Sequence, residues 1–267
     1  MFLTADYHTH TLYSHHHAIG SVFENAYIAK KKGLIELGIS DHGFRHGAFG
    51  LRKSDLAKYK NDCITASKRY DINVKVGIES NIIGMDGSID LTNKYYDYFD
   101  YLIAGVHKFV AFKLVGIFTN AIPNVFSHQY KKDKAPKWLI KNNTKALINV
   151  IKKNPVDIMS HPNFCALIDV GEVAKVCADY GTYFELNSKK IHLTPDDIES
   201  VLKTDVRFVI SSDAHNPFRV GDVSLVQKII NENGVPLNRI DNIDGRLPDF
   251  RFYKFKERAG RWILEIL

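Results

Sequence analysis

Short apolar segments rich in β-branched residues alternate along this chain with longer amphipathic segments, and this alternation constrains the fold more than any other feature. The short segments predict buried strands, and the long ones predict helices that cover them. We expect seven strands, at Leu3–Tyr7, Ile35–Ile39, Val74–Ile78, Tyr101–Val106, Val156–Met159, Tyr183–Leu186 and Phe208–Ile210. Repeated β/α units predict an α/β fold that resembles a barrel, and a doubly wound open sheet is the alternative.

The amphipathic segments and the chain length predict a single domain. We expect helices at Val22–Lys32, Ser54–Arg69, Lys145–Lys153, Val173–Tyr180, Pro195–Lys203 and Val223–Asn233. The 267 residues fit one barrel, which we place at residues 1–249. Residues 108–140 interrupt the alternation after the fourth strand and predict an insertion, either a lid or a contact surface. Residues 250–267 predict an amphipathic segment that packs on the barrel.

Composition excludes several other classes of protein. Apolar residues make up 45% and charged residues 25%, which is typical of globular proteins and not of disordered, collagen-like or coiled-coil chains. The three cysteines stand at unrelated spacings, which favours a reducing compartment, and we expect a cytoplasmic protein. No apolar run approaches the ~20 residues that a membrane helix needs. The net charge of +6 suits an anionic substrate or a nucleic acid.

Potential metal ligands follow nearly every predicted strand. His8 and His10 form a His-x-His pair, and residues i and i+2 of an extended chain point to the same face. The carboxyl ends of barrel strands converge at one rim, where the active sites of such barrels lie. The other strands lead into candidates of the same kind: His42, Glu79, His107, His161, Asp213 and His215.

A run of three histidines in the first loop supplies one more candidate. His17 stands nearest the predicted first helix, and we favour it over His16 and His15. The set of nine includes no cysteine, which argues against a structural zinc site. Imidazole and carboxylate ligands suit Zn, Mn or Fe, and nine ligands are enough for two or three ions when a carboxylate bridges. Clustered ions of this kind favour hydrolysis, most simply of a phosphate ester.

The motifs around these residues resemble the polymerase and histidinol phosphatase (PHP) superfamily, most closely its small stand-alone bacterial phosphatases. The resemblance spans about residues 5–243 in the family's motif order. It rests on Asp6-Tyr7-His8-Thr9-His10-Thr11, Ser40-Asp41-His42-Gly43, Gly77-Ile78-Glu79, Ile103-Ala104-Gly105-Val106-His107, Ser160-His161-Pro162, Glu185-Leu186-Asn187 and Ser212-Asp213-Ala214-His215.

The resemblance implies a distorted (β/α)7 barrel with a trinuclear metal centre at the carboxyl ends of the strands. A phosphomonoester would lie across the ions, and a metal-bound water, as hydroxide, would attack phosphorus in line. Glu79 would bridge the first two ions. By analogy the three sets of ligands are His8, His10, Glu79 and Asp213; Glu79, His107 and His161; and His17, His42 and His215.

Arg219 and Lys108 lie beside predicted ligands, and we expect them to contact the phosphate of a small phosphorylated substrate. Asn187 is expected to line the pocket, because the sixth strand carries no predicted ligand. Three other functions remain open: a nuclease or exonuclease, a metal-binding regulatory domain without turnover, and a metal amidohydrolase. The sequence does not determine the oligomeric state.

Overall fold

The structure, a computed structural model, describes residues 1–15, 17–111 and 135–257. Seven parallel strands form one sheet in sequence order. The strands are β1 (Ala5–Asp6), β2 (Glu36–Ile39), β3 (Asn73–Asn81), β4 (Tyr101–Gly105), β5 (Ile158–Met159), β6 (Tyr183–Asn187) and β7 (Phe208–Ser211). The helices are α1 (Val22–Lys31), α2 (Leu56–Tyr70), α3 (Lys137–Lys153), α4 (Val170–Tyr180), α5 (Pro195–Leu202) and α6 (Ser224–Asn233). The predicted seven-stranded α/β barrel is confirmed.

The barrel nearly closes where β1 approaches β7. Thr9 and Ala214, just beyond these strands, form an isolated parallel bridge. Farther down, the fully buried Asn242 side chain donates to the carbonyls of Ala5 and Ile210 at 2.8 and 2.6 Å. Its Oδ1 accepts from the N–H of Ile210 at 2.9 Å. One amide side chain therefore supplies hydrogen bonds that a strand pair would otherwise make.

The two faces of the sheet bury different sets of residues. Alternate side chains of a strand point to opposite faces, so Leu102 and Ala104 pack under the helices while Ile103 points into the barrel. Tyr101 fills the lower interior and donates to the carbonyl of Tyr7 at 2.6 Å. A Cβ on Gly77 would lie 2.2 Å from the Tyr101 ring, so only glycine leaves room for it.

Several predicted boundaries shift by a few residues, and the start of helix α3 shifts most. Helix α3 begins at Lys137, eight residues before the predicted start, so the last four residues of the predicted 108–140 insertion are helical. Its buried Leu139, Ala146, Leu147 and Val150 recur at helical spacing, which explains the earlier start. Residues 112–134 of the predicted insertion lie outside the described residues, so the lid stays a prediction.

The C-terminal segment begins beneath the barrel. Phe250 lies 4.8 Å from the Tyr7 ring and 5.3 Å from the Tyr101 ring, and Phe252 is fully buried. Residues 251–257 are helical, and residues 258–267 lie outside the described part of the chain. Within the part of the chain that is described, no helix combines the length and apolar character needed to span a bilayer.

Candidate metal centre

The predicted ligands come together at the carboxyl end of the barrel. Four groups of three have potential ligand atoms that all lie within 4.8 Å of one another. Each group combines residues from different strands, as the convergence of parallel strands requires. The groups are His8, His10 and Asp213; His8, Glu79 and His161; His42, Glu79 and His107; and His10, His42 and His215.

Glu79 occupies the centre of the cluster and is fully buried. Its Oε1 lies 2.8 Å from His161 Nε2, 3.1 Å from His107 Nε2 and 3.3 Å from His8 Nε2. Its Oε2 lies 2.9 Å from His42 Nδ1. A Cβ on Gly105 would lie 3.2 Å from Oε1 and 2.3 Å from Ser160 Oγ, so β4 needs a glycine beside this carboxylate. One carboxylate thus faces imidazoles from several strands, as a bridging ligand would.

Asp213 and His215 form the opposite side of the cluster. Asp213 Oδ1 lies 3.4 Å from His10 Nε2 and 3.3 Å from His215 Nδ1. Asp213 has a left-handed backbone, with φ of 48°, and His161 has φ of 26°. Such conformations are costly for residues other than glycine and concentrate at functional sites.

The structure also distinguishes the histidines of the first loop. His17 Nδ1 lies 2.9 Å from His42 Nε2 and 3.0 Å from His215 Nε2, which is the set implied for the third ion. His15 Nε2 instead lies 3.9 Å from an Asp55 carboxylate oxygen, at the start of α2. His16 lies outside the described residues. The geometry favours His17, and its role as a ligand stays a prediction.

Burial keeps most of these imidazoles neutral. It lowers the pKa of His10 and His42 well below the usual value, and neighbouring histidines lower the pKa of His10 further. Burial together with His215 lowers the pKa of His17 to about 4. A neutral imidazole offers a lone pair, so these rings are ready to bind a cation without first losing a proton.

The carboxylates of the cluster stay charged, whereas most of the imidazoles discussed above are neutral. Burial alone would raise the pKa of Glu79, but His107 and His8 hold it well below the usual value. Burial alone would lower the pKa of His8, but Glu79, Glu185 and Asp213 raise it well above the usual value. The cluster therefore keeps its carboxylates charged, and His8 carries a proton when no cation is bound.

The chemistry of the donor set fits divalent ions. Several buried potential ligand atoms lie close together at the centre of the cluster, but their geometry makes no hydrogen bond to any described residue. A buried polar atom left in this state is costly, and a cation would satisfy several of them together. The atoms are His8 Nε2, His10 Nε2, His42 Nδ1, Glu79 Oε2 and His107 Nε2.

Strand β6 contributes more than the sequence analysis assigned to it. The buried Glu185 accepts from His8 Nδ1 at 2.6 Å and from the N–H of His161 at 2.6 Å. Asn187 is buried beside it and donates to Glu185 at 3.0 Å and to Asp213 at 3.2 Å. The expectation that this strand offers only a pocket-lining asparagine was too narrow, because Glu185 orients one predicted ligand and anchors the backbone of another.

Strand β3 holds a second residue that the sequence analysis missed. Asn81 lies two residues beyond Glu79 and therefore on the same face. Its Oδ1 lies 2.9 Å from His107 Nδ1, and its Nδ2 donates to Asp90 at 2.6 Å. Glu79-x-Asn81 on β3 and Glu185-x-Asn187 on β6 share one pattern, and this repeated Glu-x-Asn signal was present in the sequence.

Buried aspartates support the loops that carry the ligands. Asp41 accepts hydrogen bonds from Thr11 and from Ser14 Oγ, at 2.6 to 2.7 Å. Asp6 accepts from the Ser212 side chain and from the N–H of Gly221. These contacts connect the end of β1 to the loops after β2 and β7, beside the predicted ligands.

The two expected phosphate contacts lie on exposed loop residues. Arg219 belongs to the short turn Pro217–Arg219, and its Nη1 lies 2.7 Å from Asp222 Oδ2. Lys108 directly follows His107. Arg219 thus has an acidic partner on the surface, and the phosphate contact expected of both residues stays a prediction.

A family model that matches residues 6–189 decides the classification, since it spans most of the barrel. Its description is "PHP domain". The chain belongs to the PHP domain family. The match ends before β7 and so does not cover Asp213 and His215, which lie in the same cluster of potential ligands.

Relatives of this PHP domain carry related names. A Thermoanaerobacter protein named "probable phosphatase" is 29% identical over 97% of this chain and 99% of its own length. A protein of the same name from Aeromonas hydrophila is 29% identical, over 90% and 89% of the two chains. A histidinol phosphate phosphatase from Lactococcus lactis, solved with zinc, L-histidinol and phosphate, is 14% identical and superposes with a TM-score of 0.61 over 95% and 98% of the chains. That likeness supports the fold of the PHP domain.

Proposed function

We propose that this PHP protein is a metal-dependent phosphoesterase that hydrolyses a phosphomonoester at a centre of two or three divalent ions. The observation that carries the proposal is the convergence of imidazoles from several strands on the single buried carboxylate of Glu79. The proposed ligands are His8, His10, His17, His42, Glu79, His107, His161, Asp213 and His215.

Divalent Zn, Mn or Fe ions bound to this donor set would polarise a phosphoryl oxygen and lower the pKa of a water molecule to about 7. Glu79 and Asp213 supply fixed negative charge within the site, because both keep a pKa well below the usual value. Glu185 and Asn81 hold the rings of His8 and His107 so that the other ring nitrogen faces Glu79.

The relatives support the choice of substrate class. Curated relatives that span nearly the whole chain are named phosphatases, and the superposable Lactococcus lactis enzyme was solved with zinc and phosphate. We infer a small phosphorylated substrate rather than a nucleic acid strand. Three buried cysteines, all free, support the further proposal that the protein works in a reducing compartment such as the cytoplasm.

Metal removal and reconstitution test the proposed function. We expect the chelated protein to release no phosphate from p-nitrophenyl phosphate, and Zn, Mn or Fe to restore release, because the proposed ions activate the attacking water. Elemental analysis is expected to give two or three ions per chain. Glu79→Gln is expected to lose ions and activity together.

The matched control is Glu232→Gln, the same chemical change on the exposed face of α6. It should keep the ions and the activity. Single-stranded DNA, assayed in parallel, separates the phosphomonoesterase from a nuclease. Release of nucleotides without release of phosphate from small esters would overturn the proposal, and so would full activity after chelation.

A further inference from the structure

Lys189 lies beside the proposed ligands and has no role in the site described so far. It follows Asn187 by two residues, in the loop between β6 and α5. Its Nζ lies 3.4 Å from Asp213 Oδ1, and 3.2 and 3.3 Å from the two ring nitrogens of His215. An ammonium group thus lies against the rim side of the cluster.

Those contacts conflict with bound cations. The groups that Lys189 touches are proposed metal ligands, and two positive charges a few ångströms apart repel strongly away from bulk water. The Lys189 side chain is 45% exposed, and a lysine has a flexible four-carbon stem. With ions in place, the ammonium group would therefore leave Asp213 while the backbone of Lys189 stayed at the rim.

We propose that Lys189 binds the phosphoryl oxygens of the substrate once the metal ions occupy Asp213 and His215. This inference rests on the proposed function and names a residue that the sequence analysis did not. An ammonium group donates up to three hydrogen bonds, and charge-assisted bonds to phosphate are among the stronger ones. Arg219 suits this role less well, because its partner Asp222 is not a proposed ligand and bound ions would not release the guanidinium.

Binding of inorganic phosphate to the zinc-loaded protein tests the proposal without turnover. We expect Lys189→Gln to weaken phosphate binding about tenfold or more, since a hydrogen bond to a charged group is worth that factor. Isothermal titration calorimetry measures the affinity. In the p-nitrophenyl phosphate assay, kcat/KM should fall by a similar factor. Lys189→Arg keeps the charge and is expected to recover most of both.

The control is Lys203→Gln, the same loss of charge on the exposed end of α5, which should leave phosphate affinity unchanged. Phosphate affinity of Lys189→Gln within twofold of wild type would overturn the inference. Loss of zinc from Lys189→Gln would also overturn it, because Lys189 would then support the ligands instead.

The two proposals fail separately. A wild-type protein that binds phosphate but hydrolyses no phosphomonoester would contradict the proposed function, while weaker phosphate binding by Lys189→Gln would still support the inference. A wild-type protein that hydrolyses phosphomonoesters while Lys189→Gln binds phosphate normally would contradict the inference alone.

Discussion

At the scale of single residues, the orientation of two imidazoles depends on the group bound to the ring nitrogen that faces away from Glu79. Glu185 occupies Nδ1 of His8, and Asn81 occupies Nδ1 of His107. In both rings Nε2 is then directed at Glu79, at 3.3 and 3.1 Å. Partners of this kind fix the ring plane before an ion arrives.

Glu185→Gln tests this orienting role. We expect zinc affinity to fall about 10- to 100-fold, because an amide holds the His8 ring less strongly than a carboxylate does. Activity should return at excess zinc, which a variant with a damaged fold would not allow. Competition with a chromogenic chelator measures the affinity.

Glu199→Gln on the exposed face of α5 is the matched control and should bind zinc as wild type does. Unchanged zinc affinity in Glu185→Gln would contradict the role assigned to this carboxylate.

Eight of the nine proposed ligands could be predicted because each ends or closely follows a recognisable strand, and a spacing of two residues places a pair on one face. His17 was selected instead for its position before the first helix. The groups that hold the ligands were harder to predict. Glu185 lies 177 residues from His8, and only the closed barrel brings the two together. Lys189 and Asp90 were missed for the same reason. The sequence does not indicate which residues a charged loop side chain will contact in the folded barrel.

At the scale of elements, the approach of β1 to β7 determines whether the site is complete. His8 and His10 follow β1, while Asp213 and His215 follow β7. In place of a continuous strand pair, the structure has the Thr9–Ala214 bridge and the side chain of Asn242. The junction therefore depends on a few buried hydrogen bonds.

Asn242→Ala is expected to destabilise the protein by about 3 kcal/mol, because it leaves two buried carbonyls and one buried N–H without partners. Urea unfolding measures the loss. Asn238→Ala, at an exposed position nearby, should change stability by less than about 0.5 kcal/mol. A loss below about 1 kcal/mol in Asn242→Ala would contradict the bridging role.

Strands were predicted more accurately than helix α3. The expected Tyr183–Leu186 and Phe208–Ile210 each differ from β6 and β7 by one residue. Strands buried on both faces read as continuous apolar runs, so their limits are visible in the sequence. The first two turns of α3 mix lysines and asparagines with Trp138, and only packing against the barrel reveals that Leu139 and Thr144 are buried there.

At the scale of the whole molecule, the metal-free barrel is sensitive to acid. Burial and the neighbouring His215 lower the pKa of His17 to about 4. Burial and the neighbouring His107 lower the pKa of His46 to about 4 as well. In the unfolded chain these rings titrate near 6.5. Between about pH 6.5 and pH 4 the unfolded chain therefore binds protons that the folded chain does not, and folding stability falls as the pH falls.

Urea unfolding of the chelated protein at pH 7 and pH 5 checks this prediction. We expect a lower free energy of unfolding at pH 5, by at most about 1.4 kcal/mol per pH unit for each such histidine. His8 offsets only part of this loss, because its raised pKa keeps the folded ring protonated while the unfolded ring still gains a proton near pH 6.5. His46→Gln should show a shallower dependence, and a free energy that is constant or rises toward pH 5 would contradict the prediction.

The aromatic packing beneath the barrel affects how a product can leave the site. Tyr7, Tyr101, Tyr183 and Phe250 fill the lower end with rings that contact one another. Among the described residues, these packed rings leave no opening at the lower end of the barrel. If the site hydrolyses phosphate esters, the released phosphate leaves through the same opening by which the next substrate enters. Phosphate and substrate then compete for that opening.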